Sequence, residues 1–279
     1  MPNVPASISV SETGSSMSTT SAKQFDSLSA FEDHVLSSLR QVESSHDFLF
    51  TDVPEFWGTT VFQHIDEKIP SQKTHDTKNH TLRIKVKPTE VHNCIQNWLV
   101  QQMIDWLLNQ DITQNEQSLL RVAVGTTLQF RSGPYRNSRK EPDFFFRVDG
   151  HIMPTIAVEC VWSQSIARLH NDMNLLLVGG DGSIRVVIII KWRKLQGCVS
   201  GTVELFERDR NGMPILQQSE TIFPRPANGN SQQLEIRRRD IFGPALPAGS
   251  NGNDILYLNI EQLRSYAVES LHFMNLVPA

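Results

Sequence analysis

The alternation of apolar and polar positions changes character near residue 88. From Met1 to about Ala30 the chain is rich in Ser and Thr and holds few large apolar residues. Such a segment buries too little surface to offset its ordering entropy, so residues 1–30 are expected to form a disordered tail. Phe31, Val35, Leu36 and Leu39 follow at helical spacing. Residues 48–87 mix Pro, Gly, Thr, His and Lys around one short amphipathic stretch, Val61–Ile65. Residues 31–87 are therefore read as an N-terminal helix followed by an irregular arm.

Beyond Pro88 the periodicity is plain. Thr89 and Glu90 mark a helix start, and Val91, Ile95, Trp98, Leu99, Met103, Trp106 and Leu107 keep one broad apolar face as far as Gln110. A polar turn follows over 111–117. Leu119–Phe130 then reads as a strand, Arg131–Lys140 as a basic, turn-rich loop, Pro142–Val148 as a Phe-rich strand and Thr155–Trp162 as a third strand. Ser165–Leu177 has helical spacing and stops at the glycines 179, 180 and 182. Ile184–Trp192 contains a continuous apolar run, expected of a strand covered on both faces. Val199–Glu207 and Ile215–Ile222 flank the turn signal Asp209–Gly212 and predict a hairpin. Leu234–Ile236 adds a short strand and Ile260–Met274 a terminal helix. The 184–192 strand is expected to lie parallel and adjacent to the 155–162 strand, with the 165–177 helix between them. The fold class is α/β, a mixed sheet flanked by helices, and residues 88–279 form its domain.

Composition narrows the classes. Apolar residues make up 39% and charged residues 20% of 279, enough for a core in part of the chain. No apolar run is long enough to span a membrane, and the N-terminus has no secretory pattern. Three widely spaced cysteines, Cys94, Cys160 and Cys198, fit neither a disulfide framework nor a Cys-rich zinc site, so an intracellular protein of cytoplasm or nucleus is expected. The net charge of −4 is uneven: residues 121–240 hold 17 Lys and Arg against 12 Asp and Glu, and the rest hold 9 against 18. A locally basic middle is compatible with nucleic acid and equally with scattered surface charge.

The candidate chemistry lies on the core strands. Glu159 stands in an otherwise apolar strand and needs a partner, a metal or an exposed strand end. Asp143 opens the Phe-rich strand. Two carboxylates on adjacent strands can share a divalent ion through hard oxygen ligands. A lysine near the scissile phosphate would complete such a site, and strand alternation puts it at residue 161, which is Val161. The bland alternatives are a turn role for Asp143, a salt bridge to Arg168 or Arg185 for Glu159, caps for Ser163 and Ser165, and surface or packing roles for His92 and His170. Asp172 is read as a cap, an ion-pair partner or a solvated residue, and the 179–182 glycines do not match a phosphate-cradling loop.

Pro142–Asp143, Glu159 two positions before residue 161, then a helix and a buried strand resemble the PD-(D/E)XK nuclease superfamily. More narrowly, Lys140–Asp143, Val158–Glu159, Ser163–Ser165, Leu169–Asp172 and Val186–Lys191 are similar to uncharacterised fungal members. The resemblance covers roughly residues 88–270. It implies a restriction-endonuclease-like core, with Asp143 and Glu159 as metal ligands for Mg²⁺ or Mn²⁺ and Glu90 as the nearest candidate for a third. It further implies that Lys191 substitutes for the lysine absent at Val161. The implied function is metal-dependent hydrolysis of phosphodiester bonds in DNA or RNA. The alternative is a nuclease-like fold without catalysis, serving as a nucleic-acid- or protein-binding module. Under either reading Arg131, Arg136, Arg139 and Lys140, with Tyr135 among them, are candidates for contact with a phosphate backbone.

Overall fold

The computed structural model describes residues 16–42, 45–65, 69, 71–86, 89–162, 166–227 and 231–279, without the side chains of 16, 166–168 and 195. In chain order the elements are β1 (Ser16–Ser21), α1 (Leu28–Gln41), β2 (His46–Thr51), α2 (Glu55–His64), β3 (Ser71–Asp76), β4 (Thr81–Val86), α3 (Glu90–Leu108), α4 (Gln114–Leu119) and β5 (Leu120–Ala123). Then come β6 (Leu128–Gln129), β7 (Arg139–Lys140), β8 (Phe144–Val148), β9 (Ile156–Trp162), α5 (Ile166–Leu177), β10 (Val186–Leu195) and β11 (Cys198–Arg208). The chain ends with β12 (Pro214–Phe223), β13 (Gln233–Arg237), α6 (Arg238–Phe242), β14 (Ile255–Asn259), α7 (Ile260–Phe273) and β15 (Val277–Pro278). The architecture is α/β with mixed sheets. No helix among the described residues is long and apolar enough to cross a membrane.

Two compact units share the chain. The first takes residues 1–89 and 127–141, the second 90–126 and 142–279. The first unit holds a sheet of order β1-β2-β4-β3-β7-β6, with β1 and β2 parallel. Phe31, Val35 and Leu39 of α1 and Val61 and Phe62 of α2 pack with Phe50, Leu82, Ile84 and Val86 of the strands. On β4 the burial alternates strictly, Leu82, Ile84 and Val86 inward, the signature of a strand with one covered face.

The order found over residues 16–30 corrects the expected disorder there; residues 1–15 lie outside the described residues. Main-chain pairing of Ser16–Ser21 with His46–Thr51 builds β1, and this does not require large side chains. Ser21 donates to Asp52 at 2.7 Å, and Ser27 caps α1 by accepting from the Ala30 amide. The expected irregular arm, 48–87, instead supplies one helix and most of three strands. Its strands are polar on one side, which composition reads as loop.

In the second unit the sheet order is β12-β11-β10-β9-β8-β5, and β15 pairs with β11. β9 and β10 are parallel neighbours joined through α5, as their apolar runs predict. Phe144, Phe146, Val158, Cys160, Ile188, Ile190 and Trp192 face one core with Val91, Ile95, Trp98 and Leu99 of α3 and Leu263, Ala267 and Leu271 of α7. The alternate positions, Phe145, Ala157, Val187 and Ile189, are also buried, and α5 packs on β10. Trp98 and Trp106 donate their ring N–H groups to the carbonyls of Asn259 and Tyr257, tying α3 to β14.

The single strand expected over Leu119–Phe130 is two. β5 ends at Ala123, Gly125 takes φ +60°, and β6 joins the other unit's sheet. The expected polar turn 111–117 conceals α4, started by a capping box in which Thr113 and Glu116 exchange hydrogen bonds.

Candidate functional site

The β8–β9 ladder begins where Phe144 pairs with Val158; Asp143 precedes it in a bend, and Glu159 follows Val158 on β9. Both residues are buried, 4% and 6% exposed.

Pro142 has no N–H to continue the ladder, and both the amide and the carbonyl of Cys160 take side-chain partners. The Cys160 N–H donates to Asp143 Oδ2 at 2.5 Å. The Cys160 carbonyl lies 3.1 Å from His92 Nε2, which must carry the proton to donate to it. His92 is thus a buried structural donor, the packing rather than the surface role. The Asp143 carboxylate is oriented by a backbone amide, the kind of support that holds metal ligands in place and equally the kind that ends a strand.

Lys191 pairs with Val161 across the parallel β9–β10 ladder, as Ile189 pairs with Glu159. Lys191 and Glu159 therefore share a face. Its Nζ sits 2.6 Å from Glu204 Oε2 on β11, with both side chains partly exposed. That partner was not signalled by the sequence, because it depends on the β10–β11 register. Asp172, on α5, is 7% exposed, which removes the solvated reading. Glu90 is exposed at the start of α3, where the Asn93 amide donates to it at 3.4 Å. Among the described residues no three His, Cys, Asp or Glu side chains are grouped to hold a metal, so the Glu90–Asp143–Glu159 set is not assembled. The caps expected of Ser163 and Ser165, and the side chain of Arg168, lie outside the described residues.

The four basic candidates of the 131–140 loop belong to the first unit and do not form one patch. Arg131 and Arg136 are exposed. Arg139 is half-buried, its guanidinium 5.8 Å from the centre of the Phe62 ring. Lys140 points the other way, 2% exposed, with Nζ donating to Thr74 Oγ1 at 3.4 Å. This corrects the expectation that Lys140 meets a phosphate backbone: alternation along β7 turns it inward. Tyr135 is buried as well, with Lys78 above its ring at 4.7 Å.

No protein-family model matches this chain, and no curated protein matches it.

Proposed function

We propose that the second unit is a metal-dependent phosphodiesterase of the PD-(D/E)XK type, cutting DNA or RNA, with Asp143 and Glu159 as the metal-holding pair. The observation that carries this reading is that the Asp143 carboxylate is buried where β8 begins beside β9, held by the amide of Cys160, the residue next in the chain to the buried Glu159. The order α3, β5, β8, β9, α5, β10 around them supports a restriction-endonuclease-like core.

The donor set fits the ion. Mg²⁺ commonly takes only one or two protein carboxylates and completes its octahedron with water and substrate phosphate, so a pair suffices. Adjacent carboxylates repel, and a divalent ion between them relieves that repulsion. The chemistry such an ion supplies, when bound, is polarisation of the phosphoryl oxygen and activation of water. The protein's own part is to hold Asp143 by the Cys160 amide, to present Glu159 beside it, and to offer Lys191 as the cation on the same sheet face.

The second reading, a binding module without catalysis, draws on Val161 and on the engagement of Lys191 by Glu204. Melting temperature with millimolar Mg²⁺ or Mn²⁺, together with cleavage of plasmid DNA and of single-stranded RNA, separates the two. Metal should raise the melting temperature of the wild type, and not of Asp143→Asn or Glu159→Gln, which should also lose cleavage. Metal binding without cleavage favours the binding module. A metal response equal in wild type and Glu159→Gln sinks the site.

A further inference from the structure

The first unit contains a pocket of about 400 Å³ lined by Phe62, Gln63, Ile65, Lys73, Thr127, Gln129 and Arg139. Strand register builds its floor. β3 and β7 pair Thr74 with Lys140 and His75 with Arg139, and β6 and β7 pair Gln129 with Arg139. Residues 73, 139, 129 and 127 thereby occupy one face, while Lys140, Thr74 and Leu128 take the other. The last turn of α2 contributes Phe62 and Gln63, and Ile65 follows directly after it.

The pocket is cationic and contains no acidic side chain in its lining. Lys73 Nζ and the Arg139 guanidinium lie 4.9 Å and 5.8 Å from the centre of the same ring, Phe62. The carboxylate beside them, Glu141, is shared between Lys73 and Thr127. Its Oε2 accepts from the Lys73 amide at 3.0 Å, and its Oε1 accepts from the Thr127 hydroxyl at 2.9 Å. Its ion pair to Lys73 Nζ is long, 3.6 Å. Arg139 forms no ion pair among the described residues. Phe62 attracts both cations through its ring quadrupole without neutralising them. Gln63 and Gln129 are exposed and add amide donors.

We propose that this pocket binds a phosphate group, with Arg139 as the anchor and Lys73 as the second cation. A tetrahedral dianion accepts several charge-assisted hydrogen bonds at once, which an arginine fork, an ammonium and two amides supply. The phosphate belongs either to the end of a nucleic-acid strand or to a small phosphomonoester, and the test distinguishes these.

The full-length chain is melted in inorganic phosphate, and in acetate and chloride at equal ionic strength. Binding of a short fluorescent single strand with and without a 5′-phosphate is measured in parallel. Phosphate should raise the melting temperature more than acetate or chloride does. Arg139→Gln should weaken phosphate binding by at least about tenfold, as loss of a charge-assisted hydrogen bond implies, and Arg139→Lys should recover part of it. Gln129→Glu serves as the second variant, since it sets a carboxylate beside Arg139 from an exposed position that the fold tolerates. It should also abolish the response. Binding of the strand that needs its 5′-phosphate and is displaced by free phosphate supports the nucleic-acid source. A response to free phosphate without strand binding supports the small ligand. Equal effects of phosphate, acetate and chloride overturn the proposal, as does a phosphate response unchanged in Arg139→Gln or Gln129→Glu. Glu159→Gln should leave the phosphate response intact, so failure of the phosphodiesterase reading does not decide this one.

Discussion

β10 and β3 hold comparable interior places in their sheets and share almost nothing in composition. β10 runs through Val186, Val187, Ile188, Ile189 and Ile190, all buried on both faces. β3 reads Ser-Gln-Lys-Thr-His-Asp, with burial only at His75 and Asp76. Between β4 and β7, its backbone is paired on both sides. Main-chain hydrogen bonding fixes where a strand sits, and burial of its faces decides which side chains it can carry. The first strand is held by apolar burial, the second by its neighbours and by polar side chains with assigned tasks. Asp76, for example, is 3% exposed and accepts from the amides of Lys78 and Asn79 to close the turn into β4.

The comparison is tested most severely on β10. Ile188 lies in the main core, fully buried. Ile188→Ala should cost about 2–5 kcal/mol in a urea titration, because the transfer loss and the cavity add. A loss below about 1 kcal/mol would mean that the aliphatic run does not carry this sheet.

On β3 the corresponding test is acid. His75 is fully buried and its pKa is lowered from 6.5 to about 4, first by burial and then by Arg139, with Glu55 opposing. The folded chain keeps this imidazole neutral while the unfolded chain takes up a proton below about 6.5. Stability should therefore fall as the pH drops from about 6.5 to about 4 and change no further below that on this group's account. The difference amounts to about 3 kcal/mol. Denaturant melts across this window should show a shallower fall in His75→Leu than in the wild type. Identical slopes would remove His75 as the cause.

A smaller effect is expected where α2 crosses β3. A Cβ on Gly58 would lie 2.2 Å from His75 Nε2, and the enclosed ring has no room to withdraw. Overpacking of this kind costs about 1–3 kcal/mol, against which alanine returns up to about 1 kcal/mol of helix propensity. Gly58→Ala should thus destabilise, and Gly58→Ala with His75→Ala should cost less than the two changes summed. Simple additivity would show that the contact is not felt.

These contrasts account for what the sequence disclosed. The second unit was legible because its strands and its helices α3, α5 and α7 have faces of large apolar residues, so α/β class, the parallel β9–β10 pair and the intervening helix follow from periodicity. The first unit was obscure for the reason β3 shows: Ser16–Ser21 and Ser71–Asp76 become strands through pairing with distant segments. Residues 127–141 return to that sheet from beyond α3, which no local pattern announces. Asp143 and Glu159 were visible as carboxylates in apolar company. The turning of Lys140 away from Arg139 required knowing that β7 is a strand, and the Phe62–Lys73 side of the pocket had no sequence signal.

The smallest expected change in stability falls on the residue most open to two readings. Lys191 and Glu204 form a partly exposed ion pair at 2.6 Å, and such pairs contribute at most about 1 kcal/mol after solvent screening and side-chain ordering. Lys191→Gln should therefore leave the urea midpoint nearly unchanged, as should Glu204→Gln. Activity should separate them. If Lys191 offsets charge on a phosphodiester near Glu159, Lys191→Gln should slow metal-dependent cleavage by about 100-fold or more, the scale of losing a charge-stabilising donor. Glu204→Gln leaves that cation in place and removes its competitor, so cleavage should be maintained or rise. Plasmid nicking rates of the two variants beside the wild type read this directly. Equal rates for Lys191→Gln and wild type would leave Lys191 as Glu204's partner and nothing more. The two carboxylates would then have to work without it.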